Sequence, residues 1–419
     1  MGRGDGEIFV YAHWKGIDTP QKMGTLHAQH IRGNLVWRFF YDENWLQAAQ
    51  TFVLDPDLQW YSGPQYPLES NPNFGLFLDS MPDTWGRTLM KKREAILKQK
   101  SERKNRLDDT DFLLGVYDEA RMGGFRFKTD EDGPFLGFDK ANAIPPITDV
   151  RELQSGAQLV ESDDDSEEVR KWLRILLAPG SSLGGARPKS SVKDENGELW
   201  IAKFPSRQDT SDVGAWEYIA WILAKKAGIS VPEARVEKVT GQHHTFFTKR
   251  FDRERGTRIH FASAMTLTGH FEAEIRDKKP SYLELAECIQ YNCVNPLEDL
   301  KELWRRIVFN VAISNTDDHL RNHAFLLDEN GWRLSPAYDM NPSVDKSGLA
   351  LNIDLFRNSL DFELVRSIGS YFSLSNKDMK LIMEEVTEAV EGWKTEAVNL
   401  GIPRAQLSIM EPAFQTPLS

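Results

Sequence analysis

In the segment Ile307–Asn322, IVFNVAISNTDDHLRN, Asp317 and Asn322 stand five residues apart. That pairing suits phosphoryl transfer to a hydroxyl. One carboxylate must accept the hydrogen bond of the attacking hydroxyl while a nearby amide oxygen holds magnesium beside the phosphates. The same interval separates the base from the metal-binding asparagine in the kinase loop H-R-D-x-x-x-x-N. Asp318 competes for the role of base, and spacing alone favours Asp317. His319 could brace the loop or simply stand at the surface, and Arg321 is a candidate for the γ-phosphate. A further carboxylate, Asp339, follows in SPAYDMN after a hairpin expected from Ala324–Leu327 and Trp332–Leu334. A kinase places its second magnesium carboxylate after such a hairpin, although this is not a DFG motif. Alone, Asp339 would read as a turn cap.

Upstream, Gly180–Val192 reads GSSLGGARPKSSV. Small residues let a backbone approach a ligand closely, and exposed amides can cradle phosphates. Pro188 stands where a Walker A motif requires glycine, so the segment is not one. A strand is expected over Ser190–Lys193, then an Asn196-Gly197 turn and a second strand, Leu199–Phe204. Lys203 lies in that apolar strand, where a buried lysine needs an anion and an edge lysine would point to water. A helix from about Asp212 to Ala227, closed by Gly228, carries Glu217 beside its apolar stripe. Glycine loop, strand lysine and helix glutamate follow the order of a kinase amino lobe.

Elements elsewhere must hold these groups. Glu7–Trp14 and the NLVWRFFY segment from Asn34 alternate like strands, and Thr84 to about Leu97 reads as a helix. The basic run from Lys91 to Arg106 suits a solvated helix face better than a phosphate contact, since Glu94 and Glu102 interrupt it. Residues 127–150 read as a linker, and Glu161–Glu168 as an acidic loop entering a helix. At 419 residues the chain has room for two or three domains. Its formal net charge of −12 argues against broad nucleic-acid binding. No stretch approaches the ~18 apolar residues of a spanning helix, and the amino terminus does not read as a signal peptide. Cys288 and Cys293, five apart on one expected helix, would face different ways, which fits free thiols in a reducing cytoplasm.

Together the segments SLGGARPKS, WIAKFP, TKRFDR, NTDDHLRNHAF and LSPAYDMNPS resemble the HipA family of bacterial toxin kinases, as does the amino-terminal FGLFLDSMPDTWGR. The resemblance covers nearly the whole chain. It implies an α+β, protein-kinase-like bilobal fold with an extra amino-terminal α/β subdomain and a mostly helical C-lobe. The expected divisions are residues 1–145, 146–252 and 253–419. It implies Asp317 as base, with Asn322 and Asp339 as magnesium ligands. Lys203 would meet the phosphates of ATP, aided by Gly184, Gly185, Ala186, Arg187 and Lys189, with His319, Arg321 and Tyr338 also lining the nucleotide. Backbone groups of Lys249 and Phe251 would hold adenine. Ser182, with Ser181 as a second acceptor, takes the position of the family's inhibitory autophosphorylation.

The family also implies a HipB-like helix-turn-helix antitoxin as partner, through which operator DNA is reached, and protein substrates such as an aminoacyl-tRNA synthetase. The expectation is therefore a cytoplasmic serine/threonine protein kinase, the toxin of a type II toxin–antitoxin module. Two rivals stand beside it: a kinase-fold enzyme acting on a small molecule, and a catalytically silent corepressor. A silent module need not carry Lys203, Asp317, Asn322 and Asp339 together.

Overall fold

The computed structural model describes residues 6–47, 52–68, 71–98, 107–137, 144–162, 166–177 and 185–417. The chain forms two compact units. The first comprises residues 1–207, 252–262 and 327–329, and the second residues 208–251, 263–326 and 330–419.

In the first unit, β1 (Gly6–Ala12), β2 (Gln21–Ile31), β3 (Asn34–Tyr41) and β4 (Phe125–Lys128) make an antiparallel sheet in the order β3-β2-β1-β4. Alternating residues bury Ile8 and Val10 of β1, Trp37 and Phe39 of β3, and Phe125 and Phe127 of β4. The longer helices of this unit are α1 (Thr84–Lys98), α2 (Val150–Glu161) and α3 (Glu167–Leu177). Gly156 lets α2 approach α3, since a Cβ there would lie 2.3 Å from the Trp172 ring. Lys92, in the basic run, donates to the carbonyl of Val160 at 2.6 Å and to that of Ser162 at 3.2 Å. It thereby satisfies carbonyls at the α2 carboxyl end, the place where cations are favoured. The stretch expected as a linker begins inside β4 and ends in a 3₁₀ turn, Ile147–Asp149, that feeds α2. Strands β5 (Lys189–Lys193) and β6 (Leu199–Lys203) form the expected hairpin, with Lys189 opposite Lys203. Its turn is stiffened by Asp194, whose Oδ1 accepts from the amides of Asn196 and Glu198, while Gly197 supplies a φ of +78°.

In the second unit, α4 (Val213–Lys226) is capped by Asp212 and is followed by the hairpin β7 (Ala234–Glu237) and β8 (Thr245–Lys249). Its core is helical. Helix α5 (Tyr282–Asn292) opens with a Ser281–Glu284 capping box. Helix α6 (Pro296–Ala312) opens with proline at its first turn and Glu298 and Asp299 behind it. Leu300, Leu303, Trp304, Ile307, Val308 and Val311 give α6 its buried stripe, as the heptad-like spacing predicts. The hairpin β9 (Ala324–Asp328) and β10 (Gly331–Leu334) follows. Helix α7 (Asn376–Glu391) packs on both α6 and α4. Cys288 lies in α5 and Cys293 just past its end; both are buried and free. Among the described residues no helix is long and apolar enough to cross a membrane.

Candidate active site

Helix α6 ends against a polar loop whose backbone turns sharply at Ser314, a non-glycine residue at φ +50°. The loop is anchored from below. The Asn315 amide donates to the Asn310 carbonyl at 2.8 Å, and Asn315 Nδ2 donates to Asn310 Oδ1 at 3.1 Å. Gln415, near the carboxyl end, donates its amide to the Ala312 carbonyl at 2.7 Å and its Nε2 to Ser314 Oγ at 3.3 Å.

The two aspartates that follow have opposite surroundings. Asp318 is 3% exposed, and its Oδ2 accepts from Asn310 Nδ2 at 2.8 Å, from His323 Nε2 at 2.8 Å and from the Tyr282 hydroxyl. Burial, and then the Asp318 charge, push the Tyr282 hydroxyl far above the usual tyrosine range, so it remains a donor. This carboxylate is consumed in holding the loop. Asp317 points the other way, with its side chain 76% exposed and Oδ1 3.5 Å from Lys346 Nζ. The two adjacent aspartates thus differ in burial and bonding, a difference that spacing does not encode.

Asn322 follows on a short 3₁₀ turn, Leu320–Asn322, and is buried. Its Nδ2 donates to the Asp317 carbonyl at 3.2 Å, which leaves the amide oxygen out of that bond. Asp339 lies beyond the hairpin at φ +59°, a left-handed conformation that aspartate tolerates better than most residues. Two hydrogen bonds join its segment to the loop. The Tyr338 hydroxyl donates to the Arg321 carbonyl at 2.6 Å, and the Asn341 amide donates to Asn315 Oδ1 at 3.3 Å. The immediate neighbours of Asp339 and Asn322 are therefore bonded to each other. An amide oxygen and one carboxylate are hard donors of the kind magnesium shares with phosphate oxygens, so these two residues fit that ion. Among the described residues no three of His, Cys, Asp and Glu gather as a metal cluster.

The remaining expected residues fall in several places. Phe251 packs on Tyr338 with ring centroids 5.4 Å apart, in line with the loop. The Lys249 amide is taken by the Glu233 carbonyl at 2.8 Å. Arg321 is half exposed and ion-paired with Glu272, and His319 Nδ1 is buried without a hydrogen-bond partner. Glu217 of α4 is buried. In the first unit, Gly185 and Ala186 are exposed, whereas Lys189 is buried against Asp83. Lys203 lies half-buried directly across from Lys189. Ser181, Ser182 and Gly184 lie outside the described residues. Sequence reasoning missed Asp83, Lys346 and the Tyr282–Asn310–His323 set. A Pro-Asp-Thr run opening a helix was the available signal for Asp83 as a cap.

A profile described as the HipA-like C-terminal domain matches residues 181–393. A Haemophilus influenzae protein named a kinase by inference is 29% identical over 179 residues, covering 38% of this chain and 52% of the relative. The similarly named Y4dM of Sinorhizobium fredii is 27% identical over 226 residues, covering 49% of this chain and 54% of the relative. The chain thus spans about half the length of these curated relatives. Among solved structures, HipA of Shewanella oneidensis MR-1, in a toxin–antitoxin complex with HipB and operator DNA, superposes with a TM-score of 0.64 at 17% identity. That alignment covers 97% of this chain and 94% of the other. At this identity the likeness speaks for the fold, which is α+β and kinase-like.

Proposed function

The chain belongs to the family of the HipA-like C-terminal domain, and from this premise we propose that it is an ATP- and magnesium-dependent serine/threonine protein kinase. The observation that carries the reading is the division of labour in the loop. Asp318 is buried and accepts three hydrogen bonds at Oδ2, whereas Asp317 is exposed five residues before an asparagine folded onto its carbonyl.

In this reading Asp317 accepts the hydrogen bond of a serine or threonine hydroxyl and orients its oxygen. That oxygen bonds to the γ-phosphorus as the bond to the bridging oxygen breaks. ADP departs, and the hydroxyl proton passes to Asp317. Asn322 and Asp339 would hold the magnesium that accompanies ATP and offsets its charge. Lys203 would meet the phosphates. Phe251 and Tyr338, already in ring contact, would flank the adenine end.

The same premise supports a setting. HipA of Shewanella oneidensis was solved with HipB and operator DNA. We extend to this chain a helix-turn-helix antitoxin partner, contact with operator DNA mainly through it, and a cytoplasmic location. A net charge of −12 suits a protein that meets DNA through a partner. Autophosphorylation at Ser182 or Ser181 would add about −1.5 to −2 charge beside the ATP phosphates and so oppose binding. An aminoacyl-tRNA synthetase is the substrate class that the family suggests.

The test is transfer of label from γ-labelled ATP, with magnesium, in the wild type, Asp317→Asn and Ser182→Ala. Label on protein that is lost in Asp317→Asn and reduced or moved in Ser182→Ala is the expected result. No uptake and no nucleotide binding, even after phosphatase treatment, would refute the kinase reading and favour a silent corepressor.

A further inference from the structure

Lys189 stands among the residues expected at the nucleotide, yet its ammonium already has a carboxylate from another part of the chain. Its Nζ lies 3.3 Å from Asp83 Oδ2, and the two side chains are 2% and 5% exposed. Two more contacts bind the same stretch to the first turn of α1. The Trp85 amide donates to the Gly185 carbonyl at 3.2 Å, and the Trp85 indole Nε1 donates to the Lys189 carbonyl at 3.1 Å. Gly185, at φ +82°, closes on the lysine itself, since a Cβ there would come within 3.1 Å of Lys189 Nζ. The chain from Gly185 to Lys189 curls around its own lysine, with both ends bonded to Trp85.

Charge makes this arrangement hard to exchange for phosphate binding. Lys189 and Lys203 are directly opposed in the antiparallel register, so their side chains share a face. Like charges so placed repel unless each has an anion, and Asp83 is the anion of Lys189. Swinging Lys189 towards a nucleotide would strand the Asp83 carboxylate in the core. Asp83 is not positioned to follow. Its Oδ1 accepts from the Gly86 amide at 2.6 Å and its carbonyl from the Arg87 amide at 2.8 Å, which makes it the amino-terminal cap of α1.

We propose that Asp83, Trp85 and Lys189 form a latch through which the α1 amino end fixes the downstream arm of the glycine loop. Lys189 is then a positioning residue, acting through Gly185, rather than a phosphate ligand. This inference rests on the kinase reading for its consequence, nucleotide affinity, but not for its structural content.

Full-length Asp83→Asn tests it, because asparagine still caps a helix while removing the ion pair. Two readouts are taken together: hydrogen exchange at the Trp85 amide, and titration with a fluorescent ATP analogue beside KM and kcat for ATP. The expected result is faster exchange at Trp85 and roughly tenfold weaker nucleotide binding, equivalent to about 1.4 kcal/mol. KM should rise more than kcat falls. Asp83→Asn combined with Lys189→Met buries two neutral groups and should restore both exchange protection and most of the affinity. If Lys189 instead touches phosphate, Asp83→Asn binds at least as tightly as the wild type. Lys189→Met would then lose affinity in either background, and the latch would be overturned. Should the wild type bind no nucleotide, the kinase reading fails, and unchanged Trp85 protection in Asp83→Asn would still sink the latch.

Discussion

Replacing each of two adjacent aspartates by asparagine should separate holding the loop from doing the chemistry. Asp318 Oδ2 receives Asn310 Nδ2 and His323 Nε2, each at 2.8 Å, together with the Tyr282 hydroxyl. All three donors converge on one oxygen, and an amide oxygen in its place would receive them without the charge that strengthens those bonds. A hydrogen bond to a charged group contributes about 1.5–3 kcal/mol, against about 0.5–1.5 kcal/mol for a neutral one. Asp318→Asn is therefore expected to cost the second unit about 1.5–3 kcal/mol. Asp317 is 76% exposed and its Lys346 partner 59% exposed, so that pair contributes about 0–1 kcal/mol. Asp317→Asn should leave stability nearly unchanged while lowering phosphoryl transfer by roughly 10²–10⁴-fold, the usual contribution of a positioned base. Urea unfolding followed through the buried Trp304, Trp332 and Trp393, beside label transfer at a temperature where both variants are folded, measures both quantities. Wild-type stability in Asp318→Asn would refute the anchoring argument. A folded Asp318→Asn without transfer, beside an active Asp317→Asn, would make Asp318 the base.

Two further outcomes follow from the first unit. His260 is wholly buried, stacked on Trp14 at 4.6 Å and edge-on to Phe125 at 4.5 Å, and burial lowers its pKa from the model-compound 6.5 to about 3. The unfolded chain binds the proton first as pH falls, so this contribution is whole above pH ~6.5 and is lost progressively towards pH ~3. Between pH 7 and 5 it amounts to about 2 kcal/mol. Urea midpoints of the wild type should therefore fall more steeply over that interval than those of His260→Gln, and equal slopes would refute the argument. Gly156→Ala places a methyl 2.3 Å from the Trp172 ring and should destabilise the α2–α3 pair by about 1–3 kcal/mol, as read by denaturant midpoint. A neutral result would mean that the two helices separate at little cost.

What the sequence made legible was what local spacing encodes. The α6 stripe and the Asn196-Gly197 turn are each decided within one or two turns of chain, and each stands in the structure as its spacing predicts. Strand β2 escaped notice because Met23, Leu26 and Ala28 are thinly spread among polar residues and glycine. Its identity as a strand comes from neighbours on both sides, β1 and β3, rather than from its own composition. The contrast in surroundings between Asp317 and Asp318 escaped for a similar reason. Two adjacent carboxylates are chemically alike until Tyr282, 36 residues upstream of Asp318, and Asn310 and His323 nearer by, direct donors at one of them.

Lys189 shows the same limit most sharply. The resemblance to the HipA family implied a place for it at the ATP phosphates. Its actual counter-ion lies 106 residues away, on a residue that caps a helix. A lysine beside a loop and a lysine beneath it have the same sequence signature. They differ in whether the core supplies an anion before the ligand does. Here Asp83 does so for Lys189, and the opposed Lys203 then sits on the same face of the hairpin as a charge that Asp83 has already paired. In the proposed latch Lys189 therefore fixes the loop through Asp83 and Trp85 rather than reaching for a nucleotide.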